Sequence, residues 1–104
     1  MDWIAKGALD FIEQNKARPF FLWMATTLHH GPSPQESFEK NDRRITEAGL
    51  LAEPLSVLPS NEDILRRVRA AGCSPRTAYC TWLDDGIGAV LKKLDELGIA
   101  DNGQ

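Results

Sequence analysis

Two adjacent histidines, His29 and His30, close an unbroken apolar run and stand just before Gly31-Pro32. An imidazole in such a place can hydrogen-bond an anion and hand a proton to a leaving oxygen near neutral pH. Three other groups have residue types that could do chemistry. Cys73-Ser74-Pro75-Arg76 pairs a thiol with a guanidinium, and Asp84-Asp85 and Asp101-Asn102 offer oxygen ligands. Their local patterns argue for quieter roles. Ser74-Pro75 has the form of a helix N-cap followed by its first residue, which leaves Cys73 in a turn. Asp84-Asp85 falls inside a helical pattern, where neighbouring side chains diverge by about 100°, so the pair suits solvation or capping better than chelation.

These groups need elements to hold them. Residues 2–16 carry Ile4, Ala8, Phe11 and Ile12 at helical spacing, with Asp2 as the expected N-cap. Residues 19–28 form a run of aromatic and β-compatible side chains without polar alternation, the pattern of a strand covered on both faces, with a short buried helix as the competing reading. Residues 29–60 are punctuated by Pro32, Pro34, Pro54 and Pro59 and read as a long loop. Capping-box spacing at Ser33–Glu36 allows a short helix over about 34–47. Ser60 with Asp63 caps a helix over 61–71 that Gly72 stops. A last helix over 75–97 ends at Gly98, with Tyr79, Leu83, Ile87, Val90, Leu91, Leu94 and Leu97 as its apolar stripe. Gly86 and Gly88 within it cost roughly 1 kcal/mol each against Ala, which points to another backbone approaching closely.

Composition narrows the classes. The chain has 104 residues, enough for one small domain, and 42% of them are hydrophobic. A formal charge of −3 argues against nucleic-acid or anionic-membrane binding. No apolar run is long enough to span a bilayer. Met1-Asp2-Trp3 does not open an export signal. Two cysteines, Cys73 and Cys80, do not make a disulfide framework. The decisive feature is the single convincing strand. Its backbone N–H and C=O groups need neighbours on both sides, and no other segment reads as one. The expectation is a piece of a larger α/β domain.

The string ALDFIEQNKARPFFLWMATTLHHGP resembles the middle of the sulfatase catalytic domain, which has an alkaline-phosphatase-like fold. There a basic turn leads through Pro-Phe-Phe-Leu into a central strand that ends in His-x-Pro. The string TWLDDGIGAVLKKLDELGIADN resembles the later helix of the same domain and its Leu-Gly-x-x-Asp-Asn turn. The two occur here in the family's order, and together they cover about residues 5–102. The resemblance implies a portion of an α/β sandwich: one helix, one core strand, a long loop and two helices. It implies hydrolysis of sulfate esters in the complete enzyme, with calcium and a formylglycine as its cofactors. His30, by register the His-x-Pro histidine, would contact the sulfate and the leaving oxygen. His29 would be secondary.

The same comparison shows what this chain lacks. Cys73-Ser74-Pro75-Arg76 is one residue too short for the family's Cys-x-Pro-x-Arg nucleophile motif. It also lies just before the late helix, not near the start of the domain. Asp101-Asn102 imitates a metal-binding pair but follows the helix directly, without the intervening strand. Nucleophile and metal ligands are therefore expected outside the chain, along with the missing sheet strands, and the chain alone is expected to be inactive. The resemblance places the parent enzyme in the periplasm or outside the cell. Two readings from other classes compete. Residues 64–83 have the outline of a helix-turn-helix, with Arg66, Arg67, Arg69 and Arg76 for phosphates and Ser74, Arg76 and Thr77 for base edges. The Leu-rich stripe of 83–97 could serve a small helical interaction module.

Overall fold

The computed structural model describes residues 1–26, 36, 38, 42–46 and 48–102. Helix α1 spans Asp2–Asn15, and a two-stranded antiparallel sheet pairs β1 (Ile45–Thr46) with β2 (Gly49–Leu50). Helix α2 spans Asn61–Ala70, a 3₁₀ turn follows at Pro75–Thr77, and helix α3 spans Ala78–Glu96. The described architecture is thus mixed, helices with one small sheet, and is compatible with the α/β class.

Local chemistry sets the helix ends. Ser60 Oγ accepts from the Asp63 amide at 3.2 Å, satisfying one of the orphan N–H groups of α2. At the other end Gly72 adopts φ +71°, and the Cys73 amide reaches back to the Val68 carbonyl at 3.1 Å. Ser74 Oγ accepts from the Arg76 amide at 3.3 Å and starts the turn into α3. Gly98, at φ +67°, closes α3 in the same way, with the Ile99 amide on the Leu94 carbonyl at 3.0 Å. Asp2 is not the N-cap of α1: Met1 holds that position, and the Asp2 carboxylate is drawn instead to Arg43.

Helix α3 lies between α1 and α2 and touches both. Its buried face is Ala78, Trp82 and Gly86, not the expected leucine stripe. The reason is steric. Ala78 and Gly86 leave room beside the Trp82 ring, which fills the space between the helices. Trp82 packs on Phe38 with ring centroids 4.9 Å apart, and Ala5, Leu58, Ile64 and Val68 complete the core. The stripe is left at the margin: Tyr79 and Leu83 pack against the core edge, whereas Ile87 and Leu91 are exposed. Helix α1 likewise buries Ala5, Ala8 and Ile12, while Ile4 and Phe11 are half-buried.

The two helix glycines differ from expectation. A Cβ at Gly86 would meet the Met1 side chain rather than a backbone, and at Gly88 it would meet nothing within 4 Å. Gly88→Ala should therefore stabilise the chain by about 0.5–1 kcal/mol through helix propensity, seen as a higher urea midpoint. Gly86→Ala should gain less, because Met1 must move aside.

The run expected as a strand also departs. Over its described part, Pro19–Thr26, it forms neither helix nor ladder, because no described strand lies beside it. Its burial still alternates: Phe21, Trp23 and Ala25 are exposed, whereas Leu22, Met24 and Thr26 are half-buried. That is the side-chain period of an extended chain. Within the expected loop, Ile45–Leu50 forms a hairpin with Thr46 Oγ1 donating to the Gly49 carbonyl at 2.8 Å. The short helix considered for 34–47 is met at Glu36 and Phe38, which are helical, but it does not include Ile45 and Thr46; its expected start, Ser33–Gln35, lies outside the described residues.

Candidate functional site

His29 and His30 lie outside the described residues, so the site is built from what leads to them. Helix α1 ends without a glycine. Asn15, 8% exposed, donates from Nδ2 to the Phe11 carbonyl at 2.7 Å. Its Oδ1 accepts from Arg18 Nε at 2.9 Å and Nη2 at 2.6 Å. Pro19, which lacks an amide hydrogen, bars further helix. Phe20 then turns back and sets its ring edge-on to Phe11, centroids 5.7 Å apart. The segment that runs toward the histidines therefore leaves α1 in a fixed direction.

The other residues singled out by sequence are mostly exposed. Cys73 is exposed, with its thiol 3.7 Å from the Ala71 carbonyl, and Cys80 is exposed on α3. Asp84 is exposed; Asp85 is half-buried and receives both Nη groups of Arg67, Nη1 at 3.1 Å. Asp101 is exposed in a 3₁₀ turn. Of the basic residues considered for phosphates, Arg66 and Arg67 both bond Asp63. These bonds hold the Asp63 carboxyl below the usual range, Arg66 foremost, while Asp85 raises Arg67. No three His, Cys, Asp or Glu side chains converge on a possible metal position among the described residues. The described residues therefore do not fit the calcium site or the formylglycine nucleophile that the resemblance implies for the complete enzyme.

Sequence reasoning missed the longer-range pairs. Arg43 Nε donates to Asp2 Oδ2 at 2.8 Å, Nη2 also reaches Asp2, and Nη1 donates to the Pro59 carbonyl at 2.8 Å. Lys93 on α3 bonds Glu13 on α1 at 2.6 Å. Lys16, then Lys93, pulls the Glu13 carboxyl down to about 2. A cavity of about 600 Å³ opens between the Asp42–Arg44 turn, the Pro54–Leu58 loop and the start of α2. Its two arginines are already engaged, Arg43 by Asp2 and Arg44 by Asp42. No local pattern announces these pairs, since the Asp2–Arg43 partners lie 41 residues apart in sequence.

No described helix is long and apolar enough to cross a membrane. Searches of curated proteins and of solved structures find no match. The sulfatase family model, in contrast, matches residues 2–103, from the start of α1 through the turn after α3. That span takes in both strings on which the resemblance rested, together with the unpaired segment and its clasp to α1. The chain is a member of the sulfatase family.

Proposed function

We propose that this chain is a portion of a sulfatase-type hydrolase domain and that the complete domain hydrolyses sulfate esters. The observation that carries this reading is Pro19–Thr26. It keeps the alternation of a strand while Phe21 and Trp23 remain 81% and 79% exposed and no described strand pairs with it. A segment of this kind, in a chain of this family, supports a central strand of an alkaline-phosphatase-like sandwich whose neighbours come from the rest of the domain. Open α/β sheets bind ligands beyond the carboxyl ends of their strands, and His29 and His30 follow that end.

His30 is the acting residue in this reading. Its imidazole hydrogen-bonds the sulfate and gives a proton to the departing alkoxide, while His29 is secondary. Strand neighbours, metal ligands and nucleophile lie in the remainder of the domain, and the chain alone is silent. Incubated with a chromogenic aryl sulfate, the isolated chain should show no turnover above blank. A rate that disappears in His30→Ala would overturn the claim of incompleteness. Genomic DNA beyond codon 104 should encode a strand ending in Ser/Thr-Asp-Asn/His-Gly, and upstream DNA a Cys-x-Pro-x-Arg. Their absence from both flanks would overturn the sulfatase-domain reading.

A further inference from the structure

A strand without a sheet has nothing of its own to hold its direction, and ordering a backbone is costly. Here two attachments, one on each side of Pro19, tie the segment to the last turns of α1. Before the proline, Arg18 grips Asn15 Oδ1 through Nε and Nη2, and its amide donates to the Asn15 carbonyl at 3.0 Å. After the proline, the Phe20 ring rests edge-on against Phe11, whose carbonyl Asn15 also caps. The Asn15 side chain is thus used at both ends. Its Nδ2 serves the helix, whereas its Oδ1 serves only the residue that launches the segment.

We propose that Asn15 is a positioning residue: through Arg18 it holds Pro19–Thr26 in a set direction before any neighbouring strand pairs with it. That a neighbouring strand pairs with this segment rests on the proposed function. The clasp itself can be tested without it.

The test is backbone ¹⁵N relaxation of the full 104-residue chain, read over Phe20–Thr26, together with the ring NOE between Phe11 and Phe20. The unaltered chain should give order parameters near the helical level, about 0.85, and Asn15→Ala should drop them below about 0.6 with loss of the ring NOE. Amides of α3 should not change. Asn15→Asp keeps an oxygen for Arg18 but no longer donates to Phe11, so it should retain the order. A role confined to capping α1 would make it behave like Asn15→Ala. If burial of Asn15 makes the alanine variant unfold, Arg18→Ala, on an exposed residue, asks the same question. Full order in Arg18→Ala, a disordered segment in the unaltered chain, or equal loss in Asn15→Asp would each overturn the clasp. Failure of the proposed function would appear separately, as absence of the Cys-x-Pro-x-Arg and Ser/Thr-Asp-Asn/His-Gly motifs from the flanking DNA, with these order parameters unchanged.

Discussion

Trp82→Ala is expected to remove about 3–5 kcal/mol of stability, the range for deleting a large aromatic side chain from a packed core. Trp82 is 3% exposed and lies on the face of α3 that meets the core, with Phe38 at 4.9 Å. Its neighbours on that face, Ala78 and Gly86, are too small to collapse into the gap. A domain of this size holds roughly 5–15 kcal/mol in all, so the variant should be largely unfolded at modest urea. Trp82→Phe is the informative companion. The buried indole Nε1 has no hydrogen-bond partner among the described residues, so phenylalanine removes an unsatisfied donor along with some volume. Its cost should stay below about 1.5 kcal/mol. Urea denaturation followed by circular dichroism separates the two. A loss under about 1 kcal/mol for the alanine variant would mean that the helices are not held together at this ring.

The second large effect is expected at Asp2→Ala. The Asp2 and Arg43 side chains are 6% and 13% exposed, so the pair is largely withdrawn from water. Removing the carboxylate leaves the guanidinium, among the described residues, with the Leu58 and Pro59 carbonyls as acceptors. Breaking a buried pair from one side costs about 3 kcal/mol, because the remaining charge is uncompensated. Asp2→Asn keeps one acceptor and should lose about half as much. Asp10→Ala is the control. It breaks the Lys6–Asp10 pair, whose partners are 40% and 52% exposed, and should leave the urea midpoint unchanged. Equal losses in Asp2→Ala and Asp10→Ala would show that the Asp2 pair has no special weight.

Fold and site were legible to different degrees. Both later helices can be placed from three residues each, because a cap satisfies N–H or C=O groups within one turn. Ser60 with Asp63, Gly72, Ser74-Pro75 and Gly98 all act at that range. The family too is readable in two short strings, and the family model matches across both. The inward face of α3 was not legible in the same way. Seven large apolar residues suggested one face, and packing chose another, centred on the Trp82 ring between Ala78 and Gly86. The hairpin at Ile45–Leu50 was hidden for a similar reason: only Gly49, at φ +115°, marks it in the sequence.

The candidate site divides along the same line. His29, His30, Cys73, Asp84 and Asp85 could be picked out by residue type and spacing. What each is bonded to could not. Asp85 faces Arg67 from 18 residues away and Asp2 faces Arg43 from 41, and both are thereby committed to holding elements together. The amino-acid sequence alone determined where the two later helices start and stop, and to which family the chain belongs, since those depend on neighbours along the backbone. Only the tertiary structure decided which faces are buried, which charges are neutralised and how the segment after Pro19 leaves α1. Those depend on atoms brought together through space, where side-chain volume and desolvation set the outcome.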